Sequence, residues 1–409
     1  MITLFTNCLI FNGHDENLQE GLSVLVENNT IREISEHPPN IDGARIIDCG
    51  GRVLMPGLID AHVHVYAPTF NIANNDHMPG PLMANHAAAI MEGMLRRGFT
   101  TIRDAAGGDK GIAMALEQGL ISGPRFFYSG KGLSQTGGHG DMRCPDTIEL
   151  CACSHYSGSV SRVVDGADAV RQAVREEFRL GAHQIKIFAS GGIASPADPL
   201  WMNQFTEAEI RAAVEEAETR RSYVMAHCHT DEATRRCVEF GVRSIEHGSQ
   251  ISADTAKLIK AKDAFVVPTL SVLNVMEKQG ASLNLPAVSL EKLKGLYNDA
   301  LSAIENCRQA GVNLGLGSDL LGNPQHALQG GELLLRGEVN TPVEVLRSAT
   351  SINARLLQRE GTLGCITEGA LADILVLEGN PLKNLELFTK GEETMPLIMR
   401  DGELIRNNL

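Results

Sequence analysis

Apolar residues in the middle of this chain fall into short runs bounded by glycine, proline or polar side chains. The runs LIDAHVHV (58–65), TTIRDA (100–105), RFFYSG (125–130), HQIKIFAS (183–190), YVMAHC (223–228), RSIEH (243–247), AFVVPTL (264–270) and VNLGLGSD (312–319) read as strands. Between most of them the apolar period lengthens to that of a helix, in NHAAAIMEGMLRRG, GADAVRQAVREEFRLG, TEAEIRAAVEEAETRR, TDEATRRCVEFG, ADTAKLIKAKD and LEKLKGLYNDALSAIENCRQAG. Glycine closes several of these, as suits the residue just past a helix end. Eight strand–helix units in roughly 300 residues predict an α/β fold, a (β/α)8 TIM-type barrel.

The two chain ends have a different rhythm. ITLFTNCLIF, LSVLVENNTIREI and ARIIDCGGRVLMPG at the start, and ADILVLEG and PLIMRDGELI at the end, alternate apolar and polar residues and are broken by Asn, Gly and Pro. They predict one small β-sandwich domain built from residues 1–55 and 365–409, beside a barrel of residues 56–364. A chain of 409 residues has room for both.

Composition narrows the partners. Hydrophobic residues make up 43%, enough for a large core. A net charge of −14 argues against nucleic acid or an anionic membrane, since both need a basic face. No apolar stretch is long enough to span a bilayer, and the N-terminus lacks the basic region of a signal peptide. The nine cysteines are scattered and odd in number, which fits reduced thiols and a cytoplasmic enzyme.

The chemistry sits at the ends of the strand runs. His62 and His64 are two apart, so on a strand both imidazoles point the same way, a half-site for zinc. Lys186 lies inside the apolar run QIKIF. A buried amine is either half of an internal ion pair or, being easily deprotonated, able to add carbon dioxide. His227 and His229 form a second H-x-H, His247 closes RSIEH and Asp319 closes VNLGLGSD. Taken singly, each is an ordinary strand-end polar residue. Together, at the ends of the first, fourth, fifth, sixth and eighth runs, they suit a metal centre at a barrel mouth. His139 lies in the glycine-rich segment TGGHGD, where the backbone can approach a ligand closely. The long segment SGGIASPADPLWMNQF after Lys186 has the makings of a substrate lid. Cys144, Cys151, Cys153 and His155 have no standard zinc spacing. No nucleophile elbow, P-loop or dinucleotide fingerprint is present.

PGLIDAHVH, the lysine of IKIFASGG, the histidines of AHCHTDEA and RSIEHGS, the aspartate of the eighth run and the ending GALADILVLEGNPL together resemble the amidohydrolase superfamily over essentially the whole chain. Within it, the chain is most similar to the Lys-bridged binuclear branch, the Xaa-Pro dipeptidases and metal-dependent carboxypeptidases near imidazolonepropionase. The resemblance implies two divalent metal ions, zinc being expected. His62 and His64 would hold the first, a carboxylated Lys186 would bridge, and His227 and His247 would hold the second. Asp319 would bind the first metal and act as base and then acid. His139 would meet the scissile carbonyl. His229 would contact the substrate, as would Tyr66, with Arg143 a further candidate for its carboxylate. The expected substrate is a small peptide-like molecule, a dipeptide or N-acyl amino acid with a free C-terminal carboxylate, foremost Xaa-Pro. A homo-oligomer is also expected. The rival readings are a cyclic-amide hydrolase or aminohydrolase of the same fold, and a non-catalytic assembly protein.

Overall fold

The computed structural model describes residues 2–38, 41–143, 157–195 and 198–409. Cys144, Cys151, Cys153 and His155 lie outside them. The strand Leu58–Val63 is buried at every residue, as are Phe99–Asp104, Ile185–Phe188, Val224–Cys228 and Ser244–His247. Strands covered on both faces are largely apolar, and the buried polar exceptions here, among them His62, Arg103, Lys186 and Glu246, need partners.

Leu58–Val63 pairs in parallel with Phe99–Asp104, and that strand with Arg125–Tyr128. A second parallel sheet runs Ser161–Val163, Gly132–Ser134, Ile185–Phe188, Val224–Cys228, Ser244–His247, Phe265–Val267 and Asn313–Leu314. Backbone hydrogen bonds join the two sheets at two places. His183 N–H donates to Tyr128 O at 2.8 Å, Ala61 N–H to Leu316 O at 2.9 Å and Asp319 N–H to His62 O at 2.8 Å.

Several helices begin where the sequence supplies caps. Thr206 and Glu209 form a capping box at Glu207–Thr219, and Thr230 and Ser252 cap Asp231–Glu239 and Ala253–Ala261. These two caps turn the chain into a helix just after the strands carrying His227 and His247. Helix Ala167–Arg179 buries Val170, Ala173, Val174 and Glu177 on one face, a stripe of helical period.

Two differences from the sequence pattern have local causes. The single helical pattern over 290–311 is two helices, Ala287–Leu293 and Leu296–Ala310, separated at Gly295, whose φ of +78° no helix continues through. The apolar run of Phe265–Val267 leads directly into a further helix, Leu270–Gln279.

Both chain ends meet in two further sheets. One has the order Thr30–Ser35, Ser23–Glu27, Ile2–Thr6, Arg45–Asp48. The other runs Glu403–Asn407, Leu397–Arg400, Ile374–Leu377, Val53–Pro56, Leu9–Ile10. Phe5, Val24, Ile47, Leu54, Ile374 and Met399 belong to one buried cluster drawn from both sheets. Among the described residues no helix is long and apolar enough to cross a membrane.

Candidate metal centre

Eight residues singled out in the sequence line one cavity: His62, His64, His139, Lys186, His227, His229, His247 and Asp319. They arrive from strand ends on one side of the parallel sheets, where side chains of neighbouring strands converge. His62 Nε2 and His64 Nε2 lie 3.5 and 3.2 Å from Asp319 Oδ1. These three residues each offer a ligand atom within 4.8 Å of the others, a group able to hold a metal ion. His247 Nδ1 is 3.8 Å from Asp319 Oδ2, and its ring centroid is 4.5 Å from that of His227 and 5.0 Å from that of His62. The His139 ring stacks on His227 at 4.3 Å.

Two of these residues have strained backbones. His247 and Asp319 adopt φ of 69° and 52°, the left-handed region that side-chain-bearing residues rarely enter. At Asp319 the bond from its N–H to His62 O holds the conformation. The strain turns both side chains into the cavity where a continuing strand would carry them past it.

Each imidazole is oriented from behind. His62 Nδ1 lies 2.7 Å from Glu246 Oε2, His64 Nδ1 2.9 Å from Ala106 O, His247 Nδ1 2.8 Å from Thr269 Oγ1 and His229 Nδ1 2.9 Å from Ser249 Oγ. His227 is reversed, with Nε2 3.4 Å from Gly191 O. In every case one ring nitrogen is engaged from behind, and in His62 and His64 the other faces Asp319, the arrangement that second partners impose on metal-binding histidines. Burial holds His62 down at about 4 and His229 at about 3, and drives His227 and His247 well below the usual value. These rings are therefore neutral at pH 7, with lone pairs available. His64 differs: burial opposes its charge, but the Asp319 carboxylate beside it raises its pKa.

Lys186 is 1% exposed, and no hydrogen bond or ion pair to it occurs among the described residues. Its Nζ lies 5.5 Å from the Phe188 ring centroid. Burial brings it down to about 8, against the pull of Glu246 and Asp319. Roughly a tenth of the amine is then neutral at pH 7, against well under a thousandth for an exposed lysine. Neutral imidazoles beside one carboxylate are a donor set that fits a divalent metal ion at His62, His64 and Asp319.

The other expected substrate contacts lie elsewhere. Tyr66 donates to Asp109 Oδ1 at 3.1 Å and lines a neighbouring cavity. Arg143 is bound to Asp141 through Nε at 2.7 Å and Nη2 at 2.6 Å.

Sequence reasoning passed over Glu246 and Arg103. Both are fully buried. Arg103 Nη2 donates to Glu246 Oε1 and Oε2 at 2.9 and 3.0 Å, and Nε donates to Ala61 O at 2.6 Å. The signal was present: one cation and one anion, each inside an apolar strand run, TTIRDA and RSIEH. Also passed over were Ser195 and Asp198. Ser195 Oγ lies 2.6 Å, and Asp198 Oδ2 3.4 Å, from His139 Nδ1.

The chain is similar to several known hydrolases. Ochratoxinase of Aspergillus niger is 32% identical over 370 residues, covering 87% of this chain and 76% of that protein. A crystal structure of a prolidase complexed with N-methylphosphonate-L-proline superposes with a TM-score of 0.95 at 43% identity, covering 100% of both chains. A Xaa-Pro dipeptidase with bound methionine gives a TM-score of 0.88 at 27% identity, again covering 100% of both chains. The sequence profile of the amidohydrolase family, whose fold is a TIM barrel, matches residues 53–405. A chain matched over that span and carrying this cavity is a hydrolytic enzyme, and it belongs to the amidohydrolase family.

Proposed function

We propose that this protein hydrolyses the amide bond of dipeptides or N-acyl amino acids bearing a free C-terminal carboxylate, with Xaa-Pro dipeptides preferred. The observation that carries the reading is Lys186: a buried amine without an ion-pair partner among the described residues, set among six histidines and Asp319. In this reading residues 56–364 form a closed (β/α)8 barrel, and residues 1–55 with 365–409 form a β-sandwich. His62, His64 and Asp319 hold one divalent ion, and His227 and His247 a second. Lys186 would help to hold them once its neutral amine has added carbon dioxide, giving an N-carboxylate and releasing one proton. Two zinc ions there would supply Lewis acidity and bring a water's pKa toward neutrality.

The remaining work falls to side chains. Asp319 takes a proton from the attacking water and delivers it to the leaving nitrogen, so no proton is gained or lost overall. His139, with Nδ1 engaged by Ser195 and Asp198, presents Nε2 to the scissile carbonyl. His229, held by Ser249, contacts the substrate. Ile72, Ile193, Val272, Leu273, Met276 and Leu321 give the cavity an apolar wall, suited to a proline ring or an aliphatic side chain. The resemblance to a prolidase at 43% identity supports the same substrate class.

The test is a turnover screen of the zinc-loaded protein against Xaa-Pro dipeptides, other dipeptides, N-acyl amino acids and cyclic amides. The expected result is highest kcat/KM on an Xaa-Pro dipeptide. Turnover confined to cyclic amides would overturn the reading.

A further inference from the structure

Lys292 lies in the helix Ala287–Leu293, far in sequence from the other residues of the site. Its ammonium has three N–H donors, and three backbone carbonyls accept them. They are Gly192 O at 2.7 Å, Ser195 O at 2.8 Å and Asp198 O at 2.6 Å. A lysine whose whole donor set is taken up by three carbonyls ties Gly192, Ser195 and Asp198 to its own helix.

The same three residues grip the His139 ring. Ser195 Oγ and Asp198 Oδ2 approach Nδ1, at 2.6 and 3.4 Å. Gly192 packs against the ring so closely that a Cβ there would fall 2.1 Å from Cε1. Further bonds tie the group together. Asp198 Oδ2 accepts from Gly192 N–H at 3.0 Å and from Gln204 Nε2 at 3.2 Å, and Gln204 Oε1 accepts from His139 N–H at 2.9 Å. Asp198 is completely buried, yet the bond and charge of His139 hold its carboxyl below the usual range despite that burial.

We propose that Lys292 is a positioning residue for the amide hydrolysis, setting the orientation of the His139 imidazole through Gly192, Ser195 and Asp198. The inference rests on the reading of His139 as the group that meets the scissile carbonyl. Lys292 touches neither substrate nor metal ligand in this account. It acts because displacing a catalytic group by about 1 Å lowers rates by up to about 10²-fold.

The test uses the full-length, zinc-loaded protein with Lys292→Met, which keeps the chain length of the side chain and removes its donors. Lys292→Gln serves should the methionine variant fail to fold. Metal content is expected to match wild type, and kcat on the best dipeptide to fall by about 10- to 100-fold. Amide hydrogens of residues 191–195 should exchange faster, while those of the barrel strands should not change. The deciding measurement is a double-mutant cycle with His139→Asn. If Lys292 acts through His139, Lys292→Met has little further effect on kcat once His139 is gone. A purely structural role would leave the two losses multiplying, and that outcome overturns the proposal. Wild-type kcat or unchanged exchange in Lys292→Met also overturns it. If His139→Asn alone leaves kcat intact, the assigned role of His139 fails, and the Lys292 proposal with it, while metal-dependent hydrolysis stands. The exchange measurement needs no turnover, so it still judges the Lys292 contact if the substrate class is wrong.

Discussion

Glu246→Gln is a near-isosteric change with two separable consequences. Glu246 accepts hydrogen bonds on both oxygens. Oε1 faces Arg103 and Ser244 Oγ, the latter at 2.5 Å, and Oε2 faces Arg103 and His62 Nδ1. Burial opposes its charge, but Arg103 and His62 hold the carboxyl at about 2 against an ordinary 4.5, which converts to about 3 kcal/mol in favour of the charged form. A glutamine amide can place its oxygen toward only one side. With that oxygen toward Arg103 and Ser244, its NH₂ meets the Nδ1–H of His62, donor against donor. The ring relieves this by moving its proton to Nε2, which removes the lone pair from the metal side. Metal affinity should fall by about 10- to 100-fold, the usual effect of losing such a partner. Separately, the Arg103 charge is left buried and unpaired, which should destabilise the fold by about 3–5 kcal/mol. Competition against a chromophoric chelator measures the first effect, and urea unfolding of the metal-free protein at pH 7 the second. Wild-type metal affinity together with a wild-type unfolding midpoint would refute the assigned role of Glu246.

Gly192→Ala should displace the His139 ring and lower kcat by up to about 10²-fold with metal content unchanged, checked by kinetics beside elemental analysis. His227→Asn should reduce bound metal, whereas His229→Asn should retain it and lose turnover; the reverse pattern exchanges the two assignments. His326, outside the metal site, is held by burial at about 4 against an ordinary 6.5. The unfolded chain therefore binds the extra proton between those values, and this contribution to stability is lost as pH falls through them. It amounts to about 2 kcal/mol between pH 7 and pH 5. Wild type should lose that much more than His326→Gln over this interval, by urea unfolding at both pH values, and equal losses would contradict the assignment.

Much of this site was legible because strand geometry is periodic. An H-x-H at a strand end puts two imidazoles on one side whatever the surroundings, so His62 and His64 announced themselves. The same regularity left His227 and His229 unresolved, since both share a side. Their ring nitrogens meet different partners, Gly191 O for His227 and Ser249 Oγ for His229, and those come from other segments. The left-handed turns at His247 and Asp319 break the period and follow from no local pattern. Lys292 was invisible for a simpler reason: on its own helix it reads as one more surface lysine. Helix Leu270–Gln279 escaped notice because only Pro268 and Thr269 separate its apolar residues from the strand's, and Leu270 reads as part of the strand run.

Whether a carboxylated Lys186 serves two metal ions, as proposed, is read from the metal stoichiometry. Protein prepared with zinc and bicarbonate should hold close to two metals per chain. Lys186→Ala should lose metal and dipeptide hydrolysis together, and Lys186→Arg should rescue neither, because a guanidinium stays protonated and cannot add carbon dioxide. A fully active wild-type protein with one metal per chain, or a Lys186→Ala protein retaining two metals and full turnover, would contradict the account.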